Sequence, residues 1–177
     1  MTKIHEVLIV GGGASGLATA SSLRKRNPKL DITVIEPAEK HYYQPGWTMV
    51  GAGVFNKEQT ERTMDSVWPS GIKRIKSEVV TFEPDNSLVT ITSGEKISYK
   101  ILVVAAGLKL DWGAVEGLED ALGSNGVTSN YRYDLAPYTW ELVQKMSGKN
   151  AIFTQPPMPI KCAGAPQKAM YLSCDEW

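Results

Sequence analysis

The stretch Val7-Leu8-Ile9-Val10-Gly11-Gly12-Gly13-Ala14-Ser15-Gly16 decides how the chain is read. The apolar run His5 to Val10 meets a glycine cluster, the pattern of a buried strand that ends in a tight turn. Ala14 to Lys25 then places Leu17, Ala20 and Leu23 at helical spacing. Its basic end, Arg24, Lys25 and Arg26, suits a helix C-terminus, where cations meet the negative end of the dipole. Asn27 and Pro28 stop this helix, and Asp31 to Ile35 alternates polar with apolar residues. Strand, helix and strand complete one right-handed unit.

Within that unit Gly11 to Gly16 contain G-x-G-x-x-G, each glycine with its own task. Gly11 allows the tight turn, Gly13 lets the backbone approach a pyrophosphate, and Gly16 lets the helix pack close to the strand. The helix N-terminus then faces the phosphates. Glu36 ends the second strand about 20 residues beyond Gly16, where an acid accepts hydrogen bonds from a ribose hydroxyl. A glycine loop alone is a weak signal; strand, loop, helix, strand and acid in this order point to a dinucleotide.

Further along, Glu39 to Phe55 is rich in aromatics, Gly and Pro without a clean period, and reads as an irregular, functional loop. The pattern from Ile72 is β: Ile72 to Phe82, a turn at Pro84 to Asn86, Leu88 to Thr92, a turn at Ser93 and Gly94, and Ile97 to Tyr99. Ile101 to Ala106 is wholly apolar, which predicts a separate strand buried on both faces of a parallel sheet. Asp111 to Asn130 reads as loop, Asp134 to Met146 as helix, and Ala151 to Thr154 as a short strand. Three prolines stiffen Gln155 to Pro159, and Ala165 to Trp177 reads as a helix with Pro166 in its first turn. The expected organisation is an α/β Rossmann-like dinucleotide-binding domain with a β-meander over residues 1–110. Residues 111–177 would begin a second, incomplete nucleotide-binding-like domain.

Composition narrows the partners. The chain has 177 residues, 42% of them hydrophobic and 21% charged, which excludes disordered, collagen-like and disulfide-stapled classes. Nineteen Lys and Arg balance nineteen Asp and Glu, so no broad field favours nucleic acid or an anionic membrane surface. No apolar run approaches the roughly 18 residues of a membrane-spanning helix. Lys3, His5 and Glu6 stand where the core of a cleavable signal would have to develop. The chain reads as cytosolic, and two scattered histidines and two cysteines offer no metal site.

Cys162 lies in Lys161-Cys162-Ala163-Gly164-Ala165-Pro166, just ahead of the last helix. Lys161 and the helix N-terminus both favour thiolate, which predicts a lowered pKa and a nucleophile toward sulfur. A small buried packing thiol is the other reading of the same residue. Cys174 follows about ten residues into the helix, on the order of 15 Å away, too far for a disulfide with Cys162. Beside Leu172 and Trp177 it reads as a packing residue.

The β-meander and the small-residue turn Ala105-Ala106-Gly107 resemble the FAD domain of flavoproteins with two dinucleotide domains. In those proteins an Ala-Thr-Gly turn lies near the flavin; here Ala106 takes the place of the threonine. FAD is therefore expected over NAD. Four segments together resemble sulfide:quinone oxidoreductases of the group that includes the mitochondrial enzymes: VLIVGGGASGLATA from Val7, VIEPAEKHYYQPGWTMVGAG from Val34, ISYKILVVAAGLKLDW from Ile97, and PIKCAGAPQKAMYL from Pro159. The last segment discriminates best, because general flavoprotein reductases share the glycine loop but not this cysteine environment.

The resemblance implies an enzyme that oxidises sulfide at a cysteine pair beside FAD, leaves sulfane sulfur on a cysteine and passes two electrons to quinone. By position, Cys162 matches the first redox cysteine, Ala14 and Ser15 meet the pyrophosphate, and Glu36 the ribose. Gln44 belongs to the aromatic loop near the cofactor, and Val79 gives a main-chain contact to adenine. No cysteine precedes Cys162, so FAD is expected to be non-covalent. The second redox cysteine, the distal flavin contacts and a membrane-associating C-terminal region are expected after Trp177. The 177 residues alone are then inactive, and the full-length protein is expected to be peripheral on the cytoplasmic face of an inner membrane. The competing readings are a pyridine-nucleotide-dependent flavoprotein of NADH:quinone type and a non-catalytic nucleotide-binding module.

Overall fold

The computed structural model describes residues 4–148, 150–156 and 158–177. The chain divides into two compact units, one formed by residues 1–41 and 62–109, the other by 42–61 and 110–177. The aromatic stretch from Tyr42 therefore groups with the chain after Leu110, whereas the sequence reading keeps it with the glycine loop.

In the first unit, β1 (Ile4–Val10), α1 (Ala14–Arg26) and β2 (Ile32–Ile35) form the expected strand–helix–strand. β5 (Lys73–Ile75) extends the sheet beyond β2, and β6 (Val79–Glu83), β7 (Leu88–Ile91) and β8 (Lys96–Val104) complete it in the order β5-β2-β1-β8-β7-β6. β1 runs parallel to β2 and β8, and β2 parallel to β5; β6-β7-β8 is an antiparallel meander. β3 (Lys40–Tyr42) and β4 (Glu61–Thr63) pair as a separate ribbon, and the short α3 (Met64–Val67) follows.

The sheet buries both faces near its centre because Val7 to Val10 of β1 and Ile32, Val34 and Ile35 of β2 are apolar. Val7, Ile9, Ile32 and Val34 pack with Ala20 and Leu23 of α1 and with Ile72. Leu8 and Ile35 point the other way, onto Val89, Ile91, Ile97 and Tyr99. Leu8 and Ile9 are fully buried.

Four β expectations change. Ile72 to Phe82 is two strands, not one, and they occupy opposite edges of the sheet; Ser77 and its neighbours make the crossing. Ile97 to Tyr99 and Ile101 to Ala106 are a single strand, β8, which pairs with β7 on one side and β1 on the other. Its apolar end is not buried on both faces: Ile101 is 58% and Val104 61% exposed. The α1 layer reaches this strand at Val103 and Ala105, leaving Ile101 uncovered. Ala151 to Thr154 forms no strand, having no ladder partner among the described residues.

The second unit is helical. The supposed loop from Glu39 contains α2 (Pro45–Val50), which starts with Pro45 and buries Trp47, Thr48 and Val50. Trp47 and Val50 pack with Ala136 of α5 (Ala136–Lys145) and with Tyr133. The aromatic richness that masked the helical period is a cluster of Tyr42, Trp47 and Tyr133 with ring centroids 4.9–6.2 Å apart. Desolvation in this cluster, helped by Glu61, pushes the Tyr133 phenol up to about 12. The stretch after Asp111 holds a short 3-10 turn and α4 (Leu118–Ala121), and α6 (Ala165–Glu176) matches its expectation. Of the prolines before α6, Pro157 lies outside the described residues.

Leu8→Ala is expected to destabilise the protein by about 2–5 kcal/mol, because the cavity opens inside a closely packed sheet face. Val80→Ala, on an exposed edge position, is expected to stay within about 0.5 kcal/mol. Denaturant unfolding of both variants checks this; equal effects contradict the core assignment.

Candidate cofactor and thiol sites

The glycine loop is held by close backbone approach. Gly11 has φ +102°, and a Cβ there would lie 2.3 Å from the carbonyl oxygen of Ala105. A Cβ on Gly16 would lie 1.9 Å from the carbonyl oxygen of Gly11. Gly11 therefore lets the end of β8 abut the turn, and Gly16 lets α1 begin directly under it. Ala105 N–H donates to the Val10 carbonyl at 2.7 Å, tying Ala105, Ala106 and Gly107 to the loop.

Gly13, Ala14 and Ser15 are exposed, and a side chain on Gly13 would meet nothing within 4 Å. The first turn of α1 carries no acidic residue and no side-chain cap, so no side chain of its own occupies its N-terminus. Open space over exposed N–H groups fits the pyrophosphate of a dinucleotide.

Glu36 spans the loop. Its Oε2 accepts from Gly12 N–H at 2.6 Å and its Oε1 from Ala38 N–H at 2.7 Å. An ionised carboxylate accepts about four hydrogen bonds, so capacity remains for a ribose diol. Arg74, which the sequence reading overlooked, reaches this turn from β5: Nε donates to the Glu36 carbonyl at 3.4 Å and Nη2 to the Ala38 carbonyl. Its only sequence signal is a cation in a short strand otherwise bounded by Lys73 and Ile75. Val79 packs in the cluster that contains Ile35, the residue before Glu36, and the β6-β7 register shifts just after it.

In the second unit Cys162 is exposed, with a left-handed backbone at φ +64°. Its carbonyl accepts from Ala165 N–H at 3.0 Å, turning the chain into α6. Lys161 Nζ donates to Gln44 Oε1 at 2.5 Å and lies 5.9 Å from the centroid of the Tyr131 ring. The Tyr131 hydroxyl donates to the Lys161 carbonyl. Gln44, Tyr131, Lys161, Cys162 and Lys168 line a cavity of about 50 Å³. Burial, and then the neighbouring Cys162, raise the Tyr131 pKa, so the phenol stays a donor. The structure thus brings Gln44 to the same cavity as the cysteine through Lys161, together with Tyr131, a residue that carries no motif.

Cys162 is accessible, as a nucleophile must be, and is not the packing thiol of the other reading. Cys174, expected to pack, is instead exposed along an open groove beside Phe153, Met170 and Trp177. Ile152 and Phe153 line the same groove, Phe153 with its ring centroid 6.4 Å from that of Trp177 and Ile152 83% exposed. Among the described residues no helix is long and apolar enough to cross a membrane.

The chain is similar to known proteins along its length. It is 45% identical over 179 residues to a mitochondrial sulfide:quinone oxidoreductase of Dictyostelium discoideum, covering all of this chain and 39% of that protein. It is 41% identical over 169 residues to the mitochondrial sulfide:quinone oxidoreductase of Mus musculus, covering 96% of this chain and 38% of that protein. The crystal structure of the sulfide:quinone oxidoreductase from Aquifex aeolicus superposes with a TM-score of 0.63 at 30% identity, over 80% of this chain and 32% of that one. The chain spans about two fifths of the length of these curated relatives. The mitochondrial assignment of these relatives overturns the expected cytoplasmic location, because the charge and polarity of the first residues carry no information about mitochondrial import. The sequence profile of the pyridine nucleotide-disulphide oxidoreductases matches residues 5–139, and the chain belongs to that family.

Proposed function

We propose that this chain is the dinucleotide- and thiol-bearing portion of a mitochondrial sulfide:quinone oxidoreductase. In this reading sulfide is oxidised to sulfane sulfur at a cysteine pair that includes Cys162, and two electrons pass to quinone. The observation that carries the reading is the exposed Cys162 on a small cavity flanked by Lys161 and Lys168. The two cations attract the hydrosulfide anion, and the cavity exceeds the roughly 10–15 Å³ that one water-sized ligand needs. Hydrosulfide attacks one sulfur of the oxidised pair, the S–S bond breaks and the other cysteine leaves as thiolate. Gln44 and Tyr131 fix the Lys161 side chain and carbonyl, and so the entry to Cys162.

A flavin cofactor is what the family match implies, and FAD is the form that suits the loop. Gly11, Gly13, Ala14, Ser15 and Gly16 would hold its pyrophosphate, Glu36 its ribose and the Val79 main chain its adenine, with Ala105, Ala106 and Gly107 completing the cradle. Bound flavin supplies an acceptor for an electron pair from a thiolate. Binding is non-covalent, since Cys162 is preceded by no cysteine that could form a thioether. Cys174 stands on the order of 14 Å along α6 from its start, outside the about 7 Å limit of a disulfide, so the second redox cysteine lies outside these 177 residues. The chain alone therefore does not turn over, and the quinone-facing membrane surface belongs to the rest of the protein.

Two results test this. Cys162→Ser in the full-length protein is expected to lower sulfide-dependent quinone reduction by at least about 100-fold; undiminished turnover contradicts the role of the thiol. NADH-dependent quinone reduction with no response to sulfide would instead favour a pyridine-nucleotide enzyme. Gly11→Ala, which forces a Cβ into the Ala105 carbonyl, is expected to yield colourless protein where the unsubstituted one shows a flavin band. A yellow variant with normal flavin content contradicts the assignment of the loop.

A further inference from the structure

Arg74 engages two main-chain carbonyls, two acids and an aromatic ring at once. Its side chain is 10% exposed. The guanidinium lies 5.2 Å from the centroid of the Trp68 ring. Nη1 donates to Asp65 Oδ1 at 3.2 Å, and Nη2 is 3.7 Å from Glu39 Oε1. Both acids are solvent-facing, 82% and 63% exposed, and such pairs contribute little. The two remaining contacts are of another kind: Nε and Nη2 donate to the carbonyls of Glu36 and Ala38, on either side of Pro37.

Those carbonyls bracket the turn that aims the acid. Ala38 N–H donates to Glu36 Oε1, and Glu36 Oε2 accepts from Gly12 N–H. Glu36 N–H is itself fixed to the Ile75 carbonyl at 2.9 Å, next to Arg74 on β5. The path is continuous: guanidinium, two carbonyls, the Ala38 N–H, the carboxylate, the glycine loop. A planar fork with five donors can serve two carbonyls and two acids at once; an ammonium cannot.

We propose that Arg74 is the positioning residue for the Glu36 carboxylate, holding the Glu36-Pro37-Ala38 turn so that the acid meets a ribose diol without reorganising. It does not touch the cofactor. The role rests on the cofactor reading given above.

The test compares affinities of the full-length apoprotein for FAD and for its 2′-deoxyadenosine analogue, read by quenching of flavin fluorescence. The unsubstituted protein is expected to prefer FAD about tenfold, the scale of one hydrogen bond to a charged acceptor. In Arg74→Met both FAD affinity and this preference are expected to fall, the preference to about twofold. Arg74→Lys, which keeps the charge and most of the stem and so guards against misfolding, is expected to lose most of the preference as well. General damage would weaken both ligands equally and leave their ratio intact. Variants that fold and keep the tenfold preference overturn the role of Arg74 alone. No FAD binding by the unsubstituted protein overturns the cofactor reading, and this role with it.

Discussion

The structure depends on the approach of two backbones at one point, where the turn after β1 meets the end of β8. Gly11 stands against the Ala105 carbonyl, Gly16 stands against the carbonyl of Gly11, and no side chain fits between them. This contact sets where α1 begins, and the start of α1 sets which N–H groups are left facing open space. The Glu36 carboxylate closes the arrangement by accepting from Gly12. Helix position and candidate cofactor cradle are thus consequences of one steric constraint, on a sheet stabilised by the two-faced burial of β1 and β2.

The parts legible in the sequence were those with a short-range cause. The strand before Gly11, the helix from Ala14 and the acid at Glu36 follow from periodicity and from glycines whose spacing has a steric purpose. What was not legible depends on partners distant in sequence. Nothing local says that Lys73 to Ile75 and Val79 to Glu83, a few residues apart, take opposite edges of one sheet. Nor does an apolar run reveal that Ile101 lies beyond the cover of α1, or that Val104 on the other face is exposed. The helix at Pro45 was hidden because its aromatic residues serve a cluster with Tyr133, nearly 90 positions further on.

The site followed the same division. Motif residues came from the sequence; the side chains that hold them did not. Arg74 and Tyr131 carry no pattern, and each acts through main-chain carbonyls, Arg74 on the turn after β2 and Tyr131 on the residue before Cys162. Cysteines were read unevenly for a related reason. Cys162 has a marked neighbourhood, whereas the exposure of Cys174 depends on how residues 150–153 and α6 flank a common groove, which no local pattern encodes.

The central claim is that the thiol of Cys162 is where sulfide delivers its electrons. The most direct measurement is the anaerobic half-reaction of the flavin-loaded full-length protein with sulfide, in the absence of quinone, followed by the visible flavin spectrum. The expected result is rapid bleaching in the unsubstituted protein and none in Cys162→Ser, whose flavin still bleaches with dithionite. Bleaching by sulfide at the same rate in both proteins would contradict the account.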